Sequence, residues 1–493
     1  MSHEIIGDEL TAEEIEPRPA ALIETLRAIG YSLSSAVADI IDNSISAGAR
    51  NVWVDFNWDS EDSSVSFRDD GGGMSLPQII EALRPGSEGP MAARGEKDLG
   101  RFGLGLKTAS FSQCRRLTVI SKQKDALTPQ HRAWDLDLVE RKKAWLINHY
   151  LSDPSFLESL SSMSKGTVIL WQLLDRMVLD QNRQVISHRK FLEMIREVEG
   201  HLSMVFHRFI EKNKLSIWLN GTPIKAWNPF FPDLGGNQSF PCEVYDQGKV
   251  SVTGYVLPHA TRMNADQWKE AGGIRGWAAQ QGFYIYRKDR ILLAGDWLGL
   301  FRKDEHTKLA RIMVEIDSSL DFSWQIDIRK SRAVPPKMFQ DKLKRYSEEV
   351  RSRAIEVFRH RGKQRQRRAG QSSVEMGWVT YEMDGREYFK VNRKHPLVRL
   401  MTENSAQVKA DLEKLLKMLE MTLPIPAIVL SESQHGDHPA ASGTPVRDDE
   451  VLAMMKSSYR TLRNDGLSHE KALDELLFIE PFSNYQQLIE QIN

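Results

Sequence analysis

The hydrophobic residues of the first 175 positions alternate between helical and strand spacing. Leu33, Val37, Ile41 and Ile45 recur at the spacing of one helix face, and Gly48 then interrupts the pattern. Segments with strand-like residues follow at 51–56, 64–67, 119–121 and 167–171. Helices and strands in this order predict an α+β layer, with helices on one face of a sheet.

A second mixed pattern covers about 180–345, and a mainly helical pattern follows it. A helical stretch at 189–213 precedes strand-like segments at 215–219, 249–256, 282–286 and 310–316. Helical spacing returns at 405–421 and 448–493, and residues 377–400 have the pattern of a small strand pair. The polar segment 431–444 has the composition of a flexible linker.

Composition narrows the class of protein. A length of 493 residues indicates two or three domains, and 66 Lys or Arg balance 67 Asp or Glu. This balance excludes a uniformly basic nucleic-acid coat and an acidic disordered chain. Two distant cysteines, Cys114 and Cys242, exclude a disulfide framework or a cysteine-rich zinc site. With no signal-peptide pattern and no run of 18 apolar residues, we expect a cytoplasmic protein without a membrane span.

One stretch departs from this balance. Residues 341–370 hold eleven Lys or Arg against four Asp or Glu, and the run is densest at 359–368. Such a run is either a solvated helix face or a surface for the phosphates of DNA, and the sequence leaves both interpretations open. No HExxH pattern and no GxSxG elbow occurs, so zinc and serine hydrolases are not indicated.

The first motif whose side chains could take part in binding or catalysis is on the predicted helix. Asp39 and Asn43 are four residues apart and share a face, with Asp42 beside them. A carboxylate and an amide there are suited to hold Mg²⁺ through oxygen and to orient a water. The alternative is a solvated helix face.

Three further motifs contain glycine. Asp69 ends a predicted strand before Gly71, Gly73 and Met74, which suits a site where backbone approaches a ligand, or else a hairpin turn. The run 100–110 (GRFGLGLKTAS) leads into a helix and offers backbone N–H groups and a lysine to phosphate, although its spacing is not that of a P-loop. The pair Gly166-Thr167 simply enters a strand.

The order and spacing of these motifs resemble the GHKL superfamily of ATPases, most closely its MORC and MutL members, over residues 20–175. The resemblance implies a Bergerat fold, a sandwich of helices over a mixed sheet that binds ATP and Mg²⁺. It assigns Asp69 to the adenine amino group, Thr167 to a water-mediated contact with adenine, Asn43 to Mg²⁺, and Asp39 to the general base. The other implied nucleotide-binding residues are Gly71, Gly73, Met74, Gly103, Leu104, Gly105, Leu106 and Lys107, with residues 84–99 as a mobile lid.

The resemblance continues into the second pattern. Residues 282–287 and 290–292 resemble the strand of a transducer domain in MutL-type proteins, and 327–332 resemble the loop that brings a lysine, here Lys330, to the terminal phosphate. We therefore predict a flexible N-terminus (1–19), an ATP-binding domain (20–178) and a transducer (S5-like) α/β domain (179–345). A basic helical segment (346–370) and a mainly helical C-terminal region (371–493) follow. With only residues 1–19 ahead of the ATPase unit, we do not expect the phospho-acceptor helix of a sensor kinase.

One departure from the family concerns hydrolysis. Hydrolytic relatives have Glu at the position of Asp39, and the shorter side chain sets the carboxylate back by roughly 1.5 Å, so slow turnover is expected. We predict a slowly hydrolysing, Mg²⁺-dependent ATPase that dimerises with ATP and acts as a clamp on DNA. Restriction or phage-defence proteins are the expected partners. The alternatives are a non-hydrolysing ATP-binding switch and a chaperone-like scaffold for partner proteins.

Overall fold

A computed structural model describes residues 17–28, 30–85, 105–180, 182–321, 323–325, 333–359, 377–383, 386–402, 406–422, 447–479, 481–482 and 485–492. Within these ranges, no helix combines the length and the apolar character needed to cross a lipid bilayer. The chain divides into two compact units, Met1–Pro258 with Asp266–Ile355, and His259–Ala265 with Glu356–Asn493. The first unit contains two sheets.

The first sheet has seven strands in the order β4-β3-β5-β2-β1-β6-β7. Neighbouring strands are antiparallel except β1 and β6, which are parallel. The strands are β1 (Asn51–Asn57), β2 (Ser64–Asp69), β3 (Arg116–Lys122), β4 (Gln130–Asp135), β5 (Gly166–Gln172), β6 (Ser216–Leu219) and β7 (Thr222–Pro223).

Among the described residues, eight α-helices accompany this sheet. They are α1 (Pro19–Arg27), α2 (Leu33–Ser46), α3 (Leu76–Leu83), α4 (Gly105–Phe111), α5 (Leu136–Lys142), α6 (Ser155–Ser161), α7 (His188–Val205) and α8 (His207–Glu211). Alternate strand residues such as Val54, Phe67 and Val119 face a core shared with α2 and α7, because strand side chains point to opposite faces in turn. On the opposite face, Ile120 and Val168 pack with Leu160 of α6.

The second sheet has the order β12-β11-β13-β10-β8, and β9 also pairs with β10. Its strands are β8 (Gln238–Ser239), β9 (Glu243–Tyr245), β10 (Val250–Val256), β11 (Gly282–Arg287), β12 (Arg290–Asp296) and β13 (Ala310–Ile316), and its helices are α9 (Ala265–Gly272), α10 (Trp277–Gln280) and α11 (Lys337–Arg359). Tyr284, Tyr286 and Ile291 belong to the same hydrophobic core as α2 and α7, so the two sheets share one continuous interior.

The second unit is built around a small helical core. Its elements are the hairpin of β14 (Trp378–Met383) and β15 (Arg386–Val391), with the helices α12 (Pro396–Thr402), α13 (Ala406–Met421), α14 (Asp448–Asn464) and α15 (His469–Leu476). Val451 and Met455 of α14 pack with Leu476 and Phe482. Arg399 of α12 pairs with Asp465, 2.9 Å away, which ties the two ends of this core together.

The α+β class is confirmed, with three corrections to the predictions. Helices were predicted on one face of the first sheet, but α6 packs on the opposite face. The strand predicted in the second pattern at 215–219 instead extends the first sheet, where Ser216 to Leu219 lie beside Asn51 to Val54 of β1. The partner of a short strand is chosen by distant packing, which local periodicity does not record. The strand β4 had no clear alternation and was missed. The domain boundaries themselves stay predictions.

Candidate functional site

Helix α2 carries buried polar side chains beside its apolar ones. Ser32 caps its start, with its hydroxyl accepting from the Ser35 N–H at 3.2 Å. The apolar residues that predict the helix are buried, but Asp39 (4% exposed), Asp42 (2%) and Ser44 (3%) are buried as well. A solvated helix face, the alternative left open by the sequence, is therefore wrong. Buried carboxylates need partners, and each of these has one.

Asp39 and Asp42 share one cation, the guanidinium of Arg290 in β12. The Arg290 Nε lies 2.8 Å from the Asp42 carboxylate, and a terminal nitrogen lies 3.7 Å from Asp39 Oδ1. The other oxygen of Asp39 accepts a hydrogen bond of 2.9 Å from the hydroxyl of Tyr31. The guanidinium of Arg290 therefore offsets part of the negative charge of these two carboxylates. We call this group of four side chains the Asp39 end.

Asp69 occupies the last position of β2 and faces α2. Its carboxylate accepts from the Ser44 hydroxyl at 2.9 Å and from the Gly71 N–H at 2.8 Å. Burial raises the pKa of Asp69 to about 6, although these two hydrogen bonds act in the opposite direction. A carboxylate can accept about four hydrogen bonds, so Asp69 keeps capacity for a further donor, as recognition of an amino group requires.

Thr167 lies beside Asp69, because β2 and β5 pair these two residues directly. The hydroxyls of Thr167 and Ser121 are 2.9 Å apart, and Ser121 also accepts from the Met74 N–H at 2.7 Å. Three predicted residues, Asp69, Thr167 and Met74, are thereby brought together around one serine that the sequence analysis had not singled out. We call the group of Ser44, Asp69, Gly71, Ser121 and Thr167 the Asp69 end.

The adjacent carboxylate, Asp70, has a different task. It accepts from the N–H groups of Arg50 and Asn51 at 2.7 and 3.0 Å and from the Asn51 amide at 2.8 Å. Partial burial raises its pKa, but the bonds from Asn51 and Arg50 outweigh it and hold the pKa below the usual value. Asp70 thus secures the start of β1, while Asp69 is left for the site.

The glycines after Asp69 are required by the protein itself. A Cβ on Gly73, whose φ is +71°, would lie 1.9 Å from the carbonyl oxygen of Lys122. A Cβ on Gly71 would lie 2.9 Å from both the Ala47 side chain and an Asp69 oxygen. These contacts explain both glycines through backbone packing at the end of β2, with no ligand needed to account for them.

The predicted phosphate segment is described only from Gly105 onward. Leu106 packs against the core, and the buried ammonium of Lys107 donates to the carbonyls of Arg84 (2.7 Å) and Ala82 (3.2 Å). This places a cation at the C-terminal end of α3, where it is electrostatically favourable. A contact between Lys107 and phosphate would have to replace these bonds, so its assignment to ATP stays a prediction.

Several predicted residues lie outside the described ranges. These are Gly103, Leu104, Lys330, residues 86–99 of the proposed lid and the basic run 360–368. Arg359 ends α11. The roles given to them stay predictions.

The chemistry of the described residues fits a nucleotide with Mg²⁺. The amide nitrogen of Asn43 is buried and has no hydrogen-bond partner among the described residues, so it has a donor to offer to a ligand oxygen such as that of a phosphate. No cluster of three or more His, Cys, Asp or Glu in the described ranges could hold a metal by itself. A metal at Asn43 would thus need further oxygens from its own ligand, as Mg²⁺ takes from phosphates.

Sequence reasoning did not find Tyr31, Ser44, Ser121 or the pairing of Arg290. Ser44 directly follows Asn43 and could have been inferred from helix geometry, since residues 39–44 contain the whole polar motif. Tyr31 and Ser121 carry no spacing signal. Arg290 lies 248 residues from Asp42 in sequence, so only the fold brings them together.

Part of this chain is similar in sequence to known proteins. The family described as histidine kinase-, DNA gyrase B-, and HSP90-like ATPase matches residues 31–167. ATPase morc-1 of Caenorhabditis elegans is 32% identical over 94 residues, which cover 19% of this chain and 11% of that protein. MORC family CW-type zinc finger protein 3 of Mus musculus is 27% identical over 96 residues, covering 19% and 10%. The matched segment thus spans about a tenth of the length of these relatives.

Among solved structures, the ATPase region of Saccharomyces cerevisiae topoisomerase II is similar with a TM-score of 0.35 and 11% identity. The alignment covers 66% of this chain and 86% of that structure.

Proposed function

We propose that this chain binds and slowly hydrolyses ATP, because residues 31–167 match the family described as histidine kinase-, DNA gyrase B-, and HSP90-like ATPase. The observation that carries the proposal is the hydrogen bond between Ser44 of α2 and Asp69 of β2. It sets the Asp69 end against the helix that carries Asn43 and Asp39. We assign the Asp69 carboxylate to the adenine, the Asn43 amide to the metal and the Asp39 carboxylate to the attacking water.

The residues divide the proposed reaction between them. Asp69 would accept a hydrogen bond from the adenine amino group, and the amide oxygen of Asn43 would hold Mg²⁺. When bound, Mg²⁺ would offset the charge of the phosphates. Asp39 accepts a proton from the attacking water, while Tyr31 and Arg290 orient its carboxylate. The short side chain of Asp39 is the reason to expect slow turnover.

The test of this proposal uses the unmodified protein. Calorimetric titration with ATP and Mg²⁺ should show saturable binding, and a phosphate-release assay should show slow turnover. Binding without phosphate release would support the non-hydrolysing switch instead. Absence of binding would overturn the assignment of the site.

We further propose that ATP closes two copies into a dimeric clamp that acts on DNA in the cytoplasm, in restriction or phage defence. The support is the similarity to MORC proteins over residues of the ATPase domain and the excess of basic residues at 341–370. Light scattering should show a dimer with a non-hydrolysable ATP analogue and a monomer without it. A monomer in both conditions would contradict the clamp.

The basic run gives the DNA proposal a quantitative test. Replacing Arg359, Arg361, Lys363, Arg365, Arg367 and Arg368 by Ala should weaken DNA binding and flatten its salt dependence. If about four of them meet phosphates, the slope of log affinity against log salt falls by about 3.6. The matched control replaces six exposed basic residues elsewhere, Arg141, Lys142, Lys143, Lys409, Lys414 and Lys417. Equal slopes in the two variants would mean that DNA does not bind the basic run.

A further inference from the structure

Arg290 is the first residue of β12 and lies at the contact between the second sheet and α2. Its Nε is 2.8 Å from the carboxylate of Asp42, and one terminal nitrogen donates to the Ile291 carbonyl at 2.8 Å. The remaining terminal nitrogen faces Asp39 at 3.7 Å. Arg290 and both aspartates are at most 4% exposed, so water does not screen this group. A single side chain of the second sheet is therefore in electrostatic contact with both carboxylates of α2.

This arrangement is poorly explained by stability alone. Taking charges out of water costs about as much as their attraction returns, so a buried ion pair is weak support for a fold. Here both carboxylates face the same buried guanidinium. An apolar side chain packed beside Phe206, whose ring lies 5.8 Å from the guanidinium, would fill the same space. What an apolar residue could not do is fix the direction of the Asp39 carboxylate.

Asp39 is held from two sides by different parts of the chain. Tyr31, just before α2, donates to one oxygen, and Arg290 faces the other. Tyr31 lies two residues before α2, whereas Arg290 belongs to the β11–β12 hairpin. Since β11 pairs with both β12 and β13, the hairpin is a continuous part of the second sheet. A shift of the second sheet relative to α2 would consequently change the orientation of the Asp39 carboxylate and leave the contacts of the Asp69 end as they are.

We propose that Arg290 is a positioning residue for the ATPase reaction. Through Arg290, the orientation of the Asp39 carboxylate depends on the second sheet. This inference rests on the proposed function, because Asp39 is the base only if ATP is hydrolysed. Arg290 has no contact with the Asp69 end, so ATP binding should be independent of it. The prediction is a separation of turnover from binding.

The main test is Arg290→Met, with Arg287→Met as the matched control. Arg287 is in the same hairpin, is equally buried, and pairs with Asp321 rather than with α2. Arg290→Met should lower kcat by about tenfold to a hundredfold, since small displacements of a reacting group have effects of that size. Its dissociation constant for ATP should stay within about threefold of wild type. Arg287→Met should change neither value by more than about threefold.

Two further variants keep the test decisive. Arg290→Lys retains the charge without the planar fork and should give an intermediate kcat. If Arg290→Met fails to fold, the double variant Arg290→Met/Asp42→Asn removes the charges of Arg290 and Asp42 together and keeps that of Asp39. Its kcat should also be low. Wild-type kcat in a folded Arg290→Met or in the double variant would overturn the proposal. An equal loss of ATP binding and turnover would do the same.

Failure of the proposed function is recognised separately. If wild type neither binds nor hydrolyses ATP, the ATPase assignment is wrong. The coupling itself is then read from amide hydrogen exchange in the absence of nucleotide. Arg290→Met should speed exchange in residues 33–46 by about tenfold, whereas Arg287→Met should not. Unchanged exchange in both variants would refute the link between the hairpin and α2.

Discussion

The two ends of the candidate site obtain their partners from different parts of the molecule. Every partner of Asp69 comes from α2 or from strands and loops of the first sheet, within the segment that matches the ATPase family. Asp39 also has a local partner in Tyr31, but the cation it shares with Asp42 comes from the second sheet. The Asp69 end is therefore built from the first sheet and its helices, whereas the Asp39 end also needs a residue of the second sheet. Mutations should accordingly separate binding from hydrolysis.

The largest expected effect concerns the Asp39 end. Asp39→Ala should lower kcat by about 10²–10⁴-fold, the contribution of a positioned base, while the affinity for ATP stays within about threefold. Asp39→Glu restores the carboxylate length of the hydrolytic relatives and should raise kcat several-fold. Steady-state phosphate release and calorimetry measure the two quantities. If Asp39→Ala turns over like wild type, another group is the base.

The next effect concerns the Asp69 end. Asp69→Asn should weaken ATP binding by about 100-fold or more, since the carboxylate hydrogen bond to adenine is lost and the amide can present a donor instead. Calorimetry with ATP measures this loss. Asp39→Ala is the control, because it should leave binding nearly unchanged. Comparable binding by Asp69→Asn and wild type would remove Asp69 from the site.

The same variant has a consequence for stability. The pKa of Asp69 is about 6 in the folded protein and ordinary in the unfolded chain, so the folded state holds the proton more tightly. Wild type consequently loses stability as the pH rises from about 4 through 6, by up to about 3 kcal/mol. Asp69→Asn does not titrate at this position. The free energy of unfolding of the variant, relative to that of wild type, should therefore increase as the pH rises over this window. Urea denaturation at pH 4, 5.5 and 7.5 checks the sign, and a constant difference would contradict it.

The smallest effect tests whether the glycines of the Asp69 end serve the protein itself. Gly73 and Gly48 have nearly equal φ angles, +71° and +73°, but an added Cβ meets Lys122 at the first and nothing within 4 Å at the second. Both changes to Ala incur the conformational cost of about 1–2 kcal/mol. Gly73→Ala should cost about 2 kcal/mol more than Gly48→Ala in the free energy of unfolding, through overpacking. Equal losses in denaturant titrations would show that the loop simply moves aside.

The sequence predicted what local pattern and family resemblance can carry. The bounds of α2, the strands β1, β2 and β5, and the position of Asp69 at a strand end follow from periodicity and turn residues. The burial of Asp39 and Asp42 does not follow from these patterns, because a carboxylate is buried only where a distant part of the chain supplies a partner. That partner, Arg290, was visible within a recognised strand motif but had no assigned role. The order β1-β6 was unpredictable for the same reason, since pairing depends on packing over more than 150 residues.

The parallel pairing of β6 with β1 has a practical consequence for dividing the protein. A fragment that stops near residue 178, at the end predicted for the ATP-binding domain, would lack the strand that covers β1 and the helix α7 that fills the core. It would present an unprotected strand edge beside exposed apolar side chains, the combination that promotes association of chains through their edges. Fragments that extend through β7 would keep that edge paired, and those that extend through β12 would also keep the cation of the Asp39 end. Fragments of different length therefore differ in which strand edges are paired and in which contacts of the site are kept, so their properties cannot be compared as if only length had changed.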